Sequence, residues 1–225
     1  MPAVTVNPRA RGFTLVEMAI VLVVLGLVAG ALVTPLAARI EATQRRETAA
    51  LLDDIAEALI GFALLHGRLP CPSLEADPAS PAYGLEQPPP CADAAPGHLP
   101  WRTLALPAHD AWGSPRVAAG APWIGHWRYL PDKHFTTGPI LLATLPGSGI
   151  RVRDHGGEAL TTADSRIVAV VYSAGPNRRD DGRNASWSPG APTFEAGEPT
   201  PGFDDQLRWI SHPLFIARLA QGGRL

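Results

Sequence analysis

From Met18 to Val33 the chain reads MAIVLVVLGLVAGALV, sixteen apolar or glycine residues in succession. From Met18 through Ala38 there is no charge, and the one polar side chain is Thr34. A stretch of this kind has to satisfy its backbone internally and bury its side chains in lipid or against other helices, so it predicts a helix. With Phe13–Val16 it reaches about 20–26 residues, enough to cross about 30 Å of hydrocarbon. Glu17 is the single charge inside it, and no second such segment follows. The reading is a single-pass, N-terminal anchor. The preceding MPAVTVNPRARG carries Arg9 and Arg11 and no acid, which predicts a cytoplasmic N-terminus and an exported remainder. A cleavable secretory signal has a shorter apolar core and a small-x-small exit, and neither is found here.

Beyond the apolar run the helical pattern persists. Leu51, Ile55, Leu59 and Phe62 recur at helical spacing, with Arg39, Glu41, Arg45, Arg46, Glu47, Asp53, Asp54 and Glu57 on the other faces. Gly67 followed by Pro70 is a stop signal. Gly26, Gly30 and Ala31 allow close helix approach, and Pro35 removes one helical hydrogen bond. After the helix the composition changes. Most of the 24 prolines and 22 glycines punctuate short segments, which excludes a helical bundle. Trp127–Leu130, Pro139–Leu145 and Arg166–Ser173 read as strands of a small antiparallel sheet with long loops. The two cysteines, Cys71 and Cys91, lie in a Pro-rich stretch. They match no zinc spacing and in an oxidising compartment can close one structural disulfide.

The residues Arg11-Gly12-Phe13-Thr14-Leu15-Val16-Glu17 resemble the processing site of the type IV pilin superfamily, which includes the type II secretion pseudopilins. The resemblance implies that a prepilin peptidase cuts between Gly12 and Phe13 and that Phe13 becomes N-methylated. It places Glu17 at the fifth mature position, where the family carries its assembly glutamate. A carboxylate in hydrocarbon costs about 2.5–3.5 kcal/mol, and the α-ammonium of a neighbouring subunit's Phe13 is a natural partner for it. The expected fold is therefore α+β and pilin-like, with a long N-terminal membrane-spanning helix packed on a small antiparallel sheet with Pro/Gly-rich loops. Residues 1–12 are the cytoplasmic leader, 13–38 the membrane and assembly half of the helix, 39–66 its amphipathic continuation, and 67–225 a periplasmic domain.

A second resemblance runs through that domain. Leu106-Pro107-Ala108-His109-Asp110-Ala111-Trp112-Gly113 with Trp127-Arg128-Tyr129, and Tyr172-Ser173-Ala174-Gly175 with Asp204-Asp205 and Trp209, are similar to segments of major-pseudopilin-like proteins. Residues 71–98 and 178–203 are longer than a compact major subunit needs. In that group the C-terminal loop binds calcium, and the resemblance points to Asp204 and Asp205, with Asp180, Asp181 and Asn184 as further hard oxygen donors. The EF-hand template fails: with Gly182 at its glycine, Arg179 and Ser188 stand where acids are required. A solvated turn of paired acids and arginines is the alternative.

The implied work is structural, as a subunit of a type II secretion pseudopilus or a type IV pilus-like filament. Its partners would be other pilin subunits, the prepilin peptidase and an inner-membrane assembly platform. A minor pilin displaying an adhesive or DNA-binding tip is a second reading, although 19 basic against 21 acidic residues supply no basic stripe for nucleic acid. A membrane-anchored hydrolase is a third. No His-Glu-x-x-His, Gly-x-Ser-x-Gly or P-loop is present, and His109-Asp110 has no nucleophile assigned to it.

Overall fold

The computed structural model describes residues 12–91, 97–162, 165–186, 188, 190 and 192–225, with the backbone but not the side chains at 29 and 31–35. The leader expected over 1–12 therefore lies, up to Arg11, outside the described residues. The chain divides into two compact units, 1–43 and 44–225.

The first unit contains the start of α1, a helix assigned without interruption over Leu15–His66. Its large apolar side chains, among them Ile20, Leu22, Leu25 and Leu27, are exposed. Among the described residues no helix is long and apolar enough to cross a membrane. Residues 29 and 31–33 of the apolar run fall outside the described side chains.

In the second unit α1 has a clear buried stripe: Leu52, Ile55, Leu59, Phe62 and Ala63 are all inaccessible, and Leu51 is half-buried. The helix ends where expected. Gly67 takes φ +71°, a conformation that costs other residues steric strain, and its N–H closes on the Ala63 carbonyl at 2.8 Å in the manner of a helix C-cap.

The stripe packs on an antiparallel sheet of four strands, β1 (Gly97–His98), β2 (Arg128–Pro131), β4 (Ile167–Ser173) and β6 (Gln206–Ser211), in the order β1-β2-β4-β6. Every residue of β4 is buried. It is a central strand with a core on each face. Val168, Ala169 and Val171 join α1, while Ile167, Val170 and Tyr172 join Val152 and Phe194 in a second core. A bulge between Ile167 and Ala169 breaks strict alternation, which is why Val168 and Ala169 fall on the same side. The second core is closed by β3 (Arg151–Arg153) and β5 (Thr193–Glu195), a parallel pair. β6 passes directly into α2 (His212–Gln221), with Pro213 in the first turn, where its missing N–H costs nothing. Phe215 and Leu219, four apart on α2, are fully buried in the α1 core.

The strand expected at Pro139–Leu145 is not formed. Only Ile140 is buried, its N–H held by the Gly67 carbonyl at 2.9 Å. Thr144 folds the next residues into a turn by accepting the Leu141 N–H at 2.9 Å and donating its own to the Leu141 carbonyl at 2.9 Å. Among the described residues no adjacent strand offers them an edge, so Leu141, Leu142 and Leu145 stay exposed.

Candidate functional site

At the start of α1, Thr14 is the residue before the first helical turn, and Glu17 is the third residue of the helix. The Thr14 N–H and hydroxyl donate to Glu17 Oε2 at 2.8 and 2.9 Å, and the Glu17 N–H donates back to Thr14 Oγ1 at 3.2 Å. This reciprocal capping box satisfies amides that the first helical turn leaves unpaired. The sequence reading assigned Glu17 to assembly and did not anticipate the cap, although the Thr-x-x-Glu spacing is its signature. Gly12 and Phe13 precede the helix in exposed chain outside regular structure. Gly12 has open space where a Cβ would stand.

A second candidate lies where the loop after β4 meets the approach to β6. One carboxylate oxygen from each of Asp181, Asp204 and Asp205 falls within 4.8 Å of the others. Backbone amides hold the cluster: Asp181 N–H donates to Asp205 Oδ2 at 3.0 Å, and Asp204 N–H donates to Asp181 Oδ2 at 3.0 Å. Asn177 Nδ2 donates to Asp181 Oδ2 at 2.8 Å, and Asn184 Nδ2 to Asp205 Oδ2 at 2.8 Å. Asp205 is 3% exposed, and its Oδ1 is buried with no hydrogen-bond partner. Burial, aided by the charges of Asp181 and Asp180, pushes its carboxyl up to about 7.

Asp180, expected among these ligands, is turned away. Its Oδ2 meets Arg128 Nη2 at 3.3 Å, and burial raises its pKa despite that arginine. Asn184, another expected donor, has its carbonyl oxygen committed to the Glu195 N–H at 2.8 Å. Glu195, which was not anticipated, also pairs with His155 at 2.8 Å and Arg183 at 3.1 Å, stapling β5 to the loop that carries Asp181. Gly175 takes φ +62°, and a Cβ there would come within 2.4 Å of the Asp204 carbonyl oxygen.

The two halves of the second sequence resemblance meet in space. Asp110 is buried, and its Oδ2 accepts the Ser173 hydroxyl at 2.5 Å while Oδ1 accepts the Trp112 N–H at 2.9 Å. Ser173 in turn accepts the Gly175 N–H at 3.0 Å. Burial raises the Asp110 pKa. His109 turns its Nδ1 to the Asp110 backbone carbonyl at 3.1 Å, not to the serine, and Ser173 is wholly buried. This trio ties a loop to β4; it does not present a nucleophile. The disulfide is formed between Cys71 and Cys91, with Cα atoms 5.3 Å apart. It encloses the loop bearing Tyr83, which packs into a nest with Trp101, Trp123 and His126. Within that nest His98 stacks on Trp123 at 3.5 Å, and the Arg116 guanidinium lies over the same indole, 3.8 Å from its centroid.

An exposed apolar helix opened by a Thr/Glu cap, with Gly-Phe just ahead of it, is what the structure describes at this end of the chain. The family profile for the prokaryotic N-terminal methylation motif matches residues 7–33. This motif is the hallmark of type IV pilins and pseudopilins, and Gly12, Phe13 and Glu17 all fall within it. Neither the curated proteins nor the solved structures furnished a match to the chain.

Proposed function

We propose that this chain is a prepilin-type subunit of a type II secretion pseudopilus or type IV pilus-like filament, with a structural role in protein secretion. The methylation motif over residues 7–33 carries the reading. Prepilin peptidase cuts between Gly12 and Phe13 and methylates the new N-terminus. Residues 13–38 then lie in the inner membrane as a single span, and the chain from 67 onward is periplasmic. During assembly on an inner-membrane platform, Glu17 meets the Phe13 ammonium of a neighbouring subunit. Thr14 occupies Glu17 Oε2, so Oε1 is the oxygen available for that partner. The exposed apolar face of α1 then becomes the contact between subunits, consistent with an apolar surface of this extent on a single chain.

The acidic pocket fits a hard cation on the same reading. Asp205 Oδ1 is buried without a hydrogen-bond partner among the described residues, and burial, with the charges of Asp181 and Asp180, raises its carboxyl. Asp181, Asp204 and Asp205 would hold calcium, which would offset the gathered negative charge and fix the loop before β6.

The test is the intact mass and N-terminal residue of the protein purified from membranes, with and without the peptidase. The expected mature chain begins at N-methyl-Phe13, and this form is lost in the peptidase-free strain. A chain still beginning at Met1 in peptidase-positive cells, or one cut after the apolar run, overturns the proposal.

A further inference from the structure

Apart from the acidic pocket, the second unit has a cleft of about 460 Å³ on the side of the second core away from α1. It is lined by Arg151 and Arg153 of β3, Arg166 just before β4, and the hydroxyl residues Thr161, Thr162 and Ser165. No carboxylate is among its described lining residues, in a chain where acids outnumber bases.

The arginines are placed by the fold. Side chains two apart on a strand share a face, so Arg151 and Arg153 point together while Val152 between them is fully buried. The strand is fixed by Arg151 N–H to the Pro192 carbonyl and Leu160 N–H to the Val152 carbonyl, both 2.9 Å. Arg153 is further oriented by its own hydrogen bond to the Gly157 carbonyl at 2.5 Å. Arg166 is held through its carbonyl, which accepts the His212 N–H at 2.7 Å. Arg151 and Arg166 make no ion pair among the described residues, whereas Arg68, Arg128, Arg183, Arg208 and Arg218 all do. Arg151 and Arg166 are exposed and Arg153 partly so, so their guanidinium forks and the neighbouring hydroxyls are together open to an anion from solvent.

We propose that this cleft is an oxyanion site, taking a phosphate group and part of the molecule that carries it. Arg151 and Arg166 supply charge-assisted hydrogen bonds, Arg153 supplies charge from a fixed position, and Thr161, Thr162 and Ser165 supply hydroxyl donors. The assignment is independent of the filament reading.

The test is isothermal titration of the full-length chain in non-ionic detergent at low salt, with inorganic phosphate and a monosaccharide phosphate as separate probes. Both are expected to bind and to weaken as sodium chloride rises. The double variant Arg151→Gln/Arg166→Gln is expected to lose about tenfold or more in affinity, about 1.4 kcal/mol, while Arg46→Gln, on α1, binds like the unaltered chain. Tighter binding of the sugar phosphate identifies a phosphorylated carrier, and equal binding identifies the phosphate alone. Asp164, between Thr162 and Ser165 in sequence, lies outside the described residues. Asp164→Asn is expected to leave affinity within about tenfold. Absence of binding, undiminished binding by the double variant with an unchanged urea midpoint, or a rise above tenfold in Asp164→Asn overturns the proposal.

Discussion

His98 and His126 make the second unit acid-labile by an amount that follows from the structure. Both are buried. Burial, with the charges of Arg128, His126 and Arg116, pushes His98 down to about 2, and burial pushes His126 down to about 4. His126 is held by contacts suited to a neutral ring, with Nδ1 at 3.2 Å from the Ile124 carbonyl and Nε2 at 3.2 Å from the Tyr83 hydroxyl. In the unfolded chain each ring regains an ordinary pKa near 6.5. The native state therefore keeps its full share of stability above pH 6.5 and loses it as pH falls toward the depressed values. Between about pH 7.5 and pH 5 each histidine costs about 2 kcal/mol by proton linkage, a figure that hardly depends on how far below pH 5 the folded pKa lies. Asp110 and Asp205, whose carboxyls are raised, act in the opposite sense over part of this range, so the comparison must be with a variant. His126→Gln keeps a donor and an acceptor for Ile124 and Tyr83. Urea unfolding followed by tryptophan fluorescence, in non-ionic detergent, is expected to show the variant losing about 2 kcal/mol less than the unaltered chain across that interval. Parallel losses in the two proteins would refute the reasoning. So would ring proton resonances of His98 and His126 that titrate near pH 6.5 in the folded protein.

Reduction of Cys71–Cys91, which are separated by 20 residues, is expected to lower stability by about 3 kcal/mol on the loop-entropy account, read as a shift of the urea midpoint. Ser173→Ala removes the donor to a buried carboxylate and is expected to cost about 2–3 kcal/mol. The loss should be greater at pH 8 than at pH 4, because Asp110 needs that donor only when ionised; the two urea curves decide it. Gly125 sits at φ +66° with Asp110 Oδ1 and the Gly113 backbone each 2.4 Å from the place a Cβ would take, so Gly125→Ala should prevent accumulation of folded protein, as pulse proteolysis would show. Calcium should raise the melting temperature of the unaltered chain and leave that of Asp205→Asn unmoved.

Much of the architecture was legible because it rests on local signals. The end of α1 is written in Gly67 and Pro70, the central strand in the apolar run before Ser173, and the disulfide in a pair of cysteines with no other partner. The three leucines at 141, 142 and 145 misled, since apolar character marks a strand only where a neighbouring edge receives it, and here Thr144 closes a turn instead. β6 passed unread as a strand because its half-covered position lets Gln206, Arg208 and Ser211 interrupt the apolar pattern. The helix α2 carries its buried Phe215 and Leu219 in a segment too short for a strong periodic signal. For the acidic pocket, the sequence showed the right residue types but not which of two adjacent aspartates turns inward. Arg128, distant in sequence, draws Asp180 out of the cluster, and only the folded sheet brings the two together.

The order in which α1 and α2 emerge during synthesis has a consequence for folding. Leu52, Ile55 and Leu59 share their core with Phe215 and Leu219, and Glu57 of α1 pairs with Arg218 of α2. All six strands assigned among the described residues are made before the helix that completes this core. Such contacts, between segments far apart along the chain, form late. A chain made from its N-terminus thus cannot close its principal core until α2 has been synthesised. Until then Leu52, Ile55 and Leu59 have no Phe215 and Leu219 to pack against, so the stripe on α1 stays open on that side.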